Sequence, residues 1–439
     1  MRGLKARDVF IGEGIKNKNH LSGWKVLISV VIVLLVVSSV IFLMFTAAPK
    51  VSENKVTSLG YMAVQQDFGS GYKNPQVVSV GDMFIVGTVN YGKLTITFVN
   101  ATTGNIENTV SPVTDVYSWY FRIASDSMDK ALLIVWNNGT NLNGTFLHWG
   151  GGSIEKTDNF TIASDIVTTG LGLAYGNGEF LVVWSDSSNH NYGRTIEYNA
   201  SAPNTPVLNA EFKVSSDTHS HADNFVAYDS STHHFIVLWR NYSGISGLYN
   251  ITGKIFDSNE NALTGDFLIA NGVANNTKYD YPSAEGGPGV FFVAYVNYNS
   301  PYDVHGVYVN ATNGTLGNTF NIGTSNKYGV SFVGIAYNGN SYIAVWTNES
   351  YDIVAMTYDM DGNALLSQPL VISNTADSEE WQDVAYNNET NTYYFVWYDY
   401  TAKHDYGSLW TSSEIPEFSA FLPILIVAVV AFIAIKRRH

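Results

Sequence analysis

GIAYNGNSYIAVWTNESYDIVAMTYDMDGNAL, residues 334–365, is the stretch whose reading decides the fold, because the chain keeps rewriting it. A short apolar segment ends at Ala336, a polar turn follows, and a second segment climbs from Tyr342 to Trp346. A third lies near Tyr358, and an Asp-Gly turn leads to a fourth at Leu370–Ile372. Each segment is strand-length, rich in β-branched or aromatic residues, and bounded by Gly, Asn, Asp or Ser. Self-similarity at about 40–55 residues, with four strands per unit, marks a propeller blade.

Working outward, the second strand of each unit ends in a large aromatic: Trp136, Trp184, Trp239, Tyr295, Trp346 and Trp397. The intervals are 48, 55, 56, 51 and 51, and one further step of 48 back lands on Thr88 in a divergent first copy. That makes seven. The strand before each aromatic ends in Ala124, Ala174, Ala227, Ala284, Ala336 and Ala385, small enough for a crowded inner strand. Large rings at this spacing are expected to pack between blades, since strands covered on both faces read as continuous apolar runs. Outer strands recur at Phe160, Phe212, Phe267, Phe320 and Leu370, with a weaker copy around Val110. The last unit stops after its third strand near Trp410, so its fourth strand is expected from residues 60–66, YMAVQ being the match. Such a latch leaves no open sheet edge. The expected fold is therefore all-β: a seven-bladed β-propeller over residues 60–412, closed by an N-terminal strand.

The ends read differently. Residues 26–46 are 21 uncharged, mostly apolar positions behind a basic leader, residues 1–25, with Arg2, Lys5, Arg7, Lys16, Lys18 and Lys25. That suits a transmembrane signal-anchor over 26–47 with a cytoplasmic N-terminus; residues 48–59 are a linker. Residues 419–435 form a second apolar span, stopped by Lys436, Arg437 and Arg438 in a basic tail, 436–439. The linker before it, 413–418, ends in Pro416-Glu417-Phe418. This tail resembles the PEF-type C-terminal sorting signal of archaeal surface proteins, which implies cutting near Pro416–Phe418 and lipid attachment; a plain stop-anchor is the alternative. Both ends inside place the propeller outside the cell. Twelve N-x-S/T sequons agree, at Asn100, Asn138, Asn143, Asn159, Asn199, Asn241, Asn250, Asn275, Asn310, Asn313, Asn348 and Asn388. All lie in the exterior segment and none in the flanks, as expected of a glycoprotein.

The chain has no cysteine, which excludes disulfides and thiolate metal sites. Between the basic ends, residues 51–412 carry 13 Lys/Arg against 34 Asp/Glu, a surface that repels nucleic acid and anionic lipid. Asp257-Ser-Asn259 and Asp359-Met-Asp361 look like calcium loops but lack the full ligand pattern, so turn chemistry is the expectation. No cofactor is expected.

Short linkers place the rim of first–second and third–fourth turns nearest the membrane. The opposite face, with the loops between blades, is then the natural binding surface. Those loops offer Asp115, Tyr117, Trp119, Asp223, Tyr279, Tyr281, Tyr328, Glu379, Glu380 and Trp381, rings beside carboxylates as sugar binding requires. His219, His221 and Asp223 fall on one side of an extended segment, a pattern open to metal binding or to plain solvation. No sialidase, kelch, P-loop, G-x-S-x-G or H-E-x-x-H signature occurs. The reading is a non-enzymatic module for a glycan or surface protein, its oligomeric state open. The alternative is an extracellular glycoside hydrolase or lyase with carboxylates at the propeller mouth.

Overall fold

The computed structural model describes residues 65–412, apart from 72, 119, 151, 189, 216–220, 243–247, 276–281, 298–301, 326–332 and 376–377. Both expected membrane spans and the Pro416–Phe418 linker lie outside the described residues. Among those described, every regular element is a strand, and no helix is long and apolar enough to cross a membrane.

The strands form seven antiparallel sheets in chain order. In blade six, built from the repeated stretch, the strands Gly334–Tyr337, Tyr342–Thr347, Ile353–Tyr358 and Leu370–Ser373 pair in sequence. The innermost strands of the other blades are Gln76–Val80, Phe121–Asp126, Ile166–Gly176, His221–Asp229, Ser283–Gly287 and Glu379–Asn387. The chain is a seven-bladed β-propeller.

Its core lies between blades. Phe291 and Val293 of blade five pack with Ile236 and Leu238 of blade four, and Tyr342 and Trp346 of blade six with Phe292 of blade five. Trp136, Trp184, Trp239, Tyr295, Trp346 and Trp397 are all buried, so the repeated aromatic fills blade interfaces as its sequence context demands.

A second repeated contact fixes the outer strand. Phe160, Phe212, Phe267 and Phe320 each lay a ring over a third-strand glycine, at Gly144, Gly193, Gly253 and Gly306, where an added Cβ would meet the ring within about 3.0 Å. Leu370 pairs instead with Ala355 in blade six, a smaller side chain over a small residue.

The ring closes as the sequence implies, but the described latch strand begins where the YMAVQ match, residues 61–65, ends. The latch strand is Gln65–Ser70, and it pairs with the third strand of blade seven, His404–Thr411. The reason is the same phenylalanine contact. Phe68 covers Gly407 and packs 6.5 Å from Tyr394, so Phe68 is the anchor of this copy. Residues 60–64 lie outside the described residues. Gly71 then turns the chain into blade one so closely over Asp405 that any side chain there would strike its carboxyl.

Candidate functional site

Register defines the channel. In each blade the second-strand residue three before Thr88, Trp136, Trp184, Trp239, Tyr295, Trp346 or Trp397 pairs with one residue of the inner strand, giving Val78, Ala124, Ala174, Ala227, Glu285, Ala336 and Ala385 around the ring. Blade five thus breaks a layer of small side chains with a carboxylic acid. The sequence reading put Ala284 there; its partner is Val293, one step off register. The signal that would have found Glu285 is the ten-residue interval to the aromatic, as between Ala174 and Trp184 or Ala336 and Trp346.

The layer two residues earlier contains Gln76, Arg122 and Asp383, on blades one, two and seven. These groups are cross-links between blades. Asp383 accepts the Val77 amide at 3.0 Å and the Val384 amide at 2.9 Å. Gln76 Nε2 donates to the Phe121 carbonyl at 2.7 Å, and Arg122 donates to the same carbonyl at 3.0 Å. Burial lifts the Asp383 carboxyl to about 6, against the pull of those two amides and Arg122. For Glu285, burial and then the Asp383 charge raise it to about 8. Both residues line a cavity of about 390 Å³ bounded by the inner strands of all seven blades. Their side chains are open to that cavity yet surrounded by protein, which is why burial dominates.

One step beyond the small-residue layer, four blades carry tyrosine: Tyr175, Tyr228, Tyr337 and Tyr386. Each packs 4.7–4.8 Å from the aromatic opposite it, Phe180, Phe235, Tyr342 or Tyr393. Blade five has Gly286 here, where a Cβ would overlap the Tyr228 carbonyl.

The loop face treats the expected site residues unevenly. Trp119, His219, Tyr279, Tyr281 and Tyr328 lie outside the described residues, and the His221 side chain is likewise not described. Asp115 accepts the indole N–H of Trp136 at 3.0 Å. Asp223 is buried and paired with Arg240 at 2.7 Å, so its carboxylate is held by the fold rather than offered with the histidines. Glu379 is buried and takes hydroxyl hydrogen bonds from Ser373 at 2.5 Å and Thr375 at 3.1 Å; burial still raises it to about 7. Glu380 accepts from Ser378 at 3.1 Å. Trp381 is only 3% exposed, its ring packed with Tyr398 and faced by the Lys73 ammonium at 5.6 Å.

Asp223 and Trp381 share a cause. Each sits at a register shift of its inner strand with positive φ, +57° and +60°, and such a bulge re-aims the side chain. Tyr117, in contrast, is 49% exposed. Two further tyrosines escaped the sequence reading because they occupy second–third turns on this same face: Tyr91, 93% exposed, and Tyr400, 52% exposed. The Tyr91 turn touches the Tyr117 loop through a Val116 amide to Gly92 carbonyl bond of 3.0 Å, and Lys73 lies 5.6 Å from the Tyr400 ring.

Elsewhere, Asp257 and Asp359 accept bonds from Asn261 and Asn363 within their own turns, as turn chemistry requires. Among the sequons, Asn241 is buried in its strand, whereas Asn159, Asn313 and Asn388 are exposed.

No family model matches the chain, and no curated protein matches it by sequence. Solved structures share its architecture. A lectin from Burkholderia pseudomallei aligns at 11% identity with a TM-score of 0.59, over 78% of this chain and 97% of its own. Hydrazine synthase from Kuenenia stuttgartiensis aligns at 10% identity with a TM-score of 0.53, over 79% and 97%. What is shared at such identity is the propeller fold.

Proposed function

We propose that the chain is a membrane-tethered propeller displayed outside the cell, binding a glycan through its loop face without turning it over. The observation that carries this reading is the set of exposed rings on one face, Tyr91, Tyr117 and Tyr400, from blades one, two and seven. Tyrosine is a rigid, amphipathic surface on which a sugar ring stacks while its hydroxyls find polar neighbours. A second support is the state of the acids. Asp115, Asp223, Glu379 and Asp383 each have a fixed internal partner, which suits loop architecture better than proton transfer. A lectin with the same fold shows that the architecture accommodates sugar recognition. Membrane attachment rests on the two apolar spans, 26–47 and 419–435, and external placement on their basic flanks.

The test is a glycan array probed with the full-length chain in detergent, with Tyr91→Ala, Tyr117→Ala and Tyr400→Ala beside it. Each substitution at a stacking ring is expected to weaken retention by about five- to thirtyfold, the range for 1–2 kcal/mol. Retention unchanged in all three variants would refute this face as the site. Binding to no glycan would remove the sugar reading. The hydrolase alternative draws on one observation, the raised carboxyls of Glu285 and Asp383 in the channel.

A further inference from the structure

The channel carries a site distinct from the loop face. Glu285 is the acid in its wall without a donor: among the described residues, no hydrogen bond relieves the burial of its carboxyl, and its charged neighbour is another acid, Asp383. Asp383 is already served by two amides and by Arg122. Arg122 is the one basic side chain among the described lining residues, and it is spent on Asp383 and the Phe121 carbonyl. A buried carboxylate left this way is costly unless a cation meets it. The same cavity is lined by a collar of Tyr175, Tyr228, Tyr337 and Tyr386, with Ser79, Ser125 and Gly286 at the equivalent positions of blades one, two and five. Three of the hydroxyls are anchored: Tyr228 to His233 at 2.9 Å, Tyr337 to the Gly339 carbonyl at 2.7 Å, and Tyr386 to Asn391 at 2.9 Å. A carboxylate and fixed tyrosine rings lining one cavity are the chemistry that recognises an organic cation.

We propose that the central channel binds a small alkylammonium ion, with Glu285 as its counter-ion and the tyrosine collar as its aromatic wall. The cavity, about 390 Å³, is of small-molecule size. The acidic surface of residues 51–412 favours cation entry. A neutral alcohol of the same shape gains the wall but not the charge.

The experiment is calorimetric titration of the full-length chain in detergent with n-propylammonium and, separately, n-propanol, at pH 7 and pH 9. The charged groups bearing on Glu285 are Asp383, Arg122 beyond it, and Tyr342 with Asp229 near by. Because Glu285 titrates near 8, the ammonium should bind at least tenfold more tightly than the alcohol at pH 9, with a smaller preference at pH 7. Glu285→Gln should erase that preference at both pH values. Equal affinity for the two probes at pH 9, no binding of the ammonium, or a preference that survives Glu285→Gln would each overturn the proposal. Should the variant fail to fold, the pH dependence of the native chain decides alone.

Discussion

At Glu285, a single residue changes what a symmetric layer can do. Five blades place alanine and one places valine at this register position, so the carboxyl is an exception to the pattern and not a product of it. Its folded value of about 8 lies above the ordinary 4.5, so the folded state holds a proton that the unfolded chain releases. The stability it contributes is complete below 4.5 and is lost as pH rises through 8. Glu379 and Asp383, raised to about 7 and about 6, act in the same direction. Thermal melting should therefore fall between pH 5 and pH 8, and Glu285→Gln should flatten that fall without abolishing it. A melting temperature independent of pH in the native chain would remove the burial argument. Trp239 belongs to the opposite kind of residue, fully buried and purely structural. Trp239→Ala should cost about 3–5 kcal/mol in denaturant unfolding.

For the elements, legibility followed the repetition. Strands whose aromatic or alanine recurs in six of the seven units are readable from the chain alone, because burial on both faces writes the same residue types each time. The latch was readable as a necessity and misplaced in detail. Its anchor, Phe68, is followed by Gly69 and Ser70 and lacks the β-branched run of the other copies, so YMAVQ looked the better match. The contact that settles it, Phe68 over Gly407, joins residues from opposite ends of the fold. Asp223 and Trp381 read as exposed loop residues yet are buried, because a bulge is invisible in composition. Tyr91 and Tyr400 lie in second–third turns, outside the loops between blades where rings and carboxylates cluster in the sequence. Deleting residues 65–70 should open blade seven and sharply lower the melting temperature, and Phe68→Ala should lower it less. Unchanged melting after the deletion would mean that the ring does not depend on its seam.

On the scale of the whole molecule, the proposed outward orientation rests on where the chain enters and leaves the ring. The absence of cysteine makes it measurable, since any introduced thiol is unique. With Tyr400→Cys, a membrane-impermeant maleimide should label intact cells; with Lys5→Cys, labelling should wait for lysis. Labelling in the reverse order would place the propeller inside. The functional account is that a ring of sheets, tied together by side-chain bonds among Gln76, Asp383 and their neighbours, holds tyrosines outward to capture a sugar and does nothing further to it. The decisive measurement is the mass of a captured glycan, eluted from the full-length chain after prolonged incubation. An intact ligand is the expected result. A shortened or eliminated product whose appearance is abolished by Glu285→Gln or Glu380→Gln would contradict it and make the propeller an enzyme.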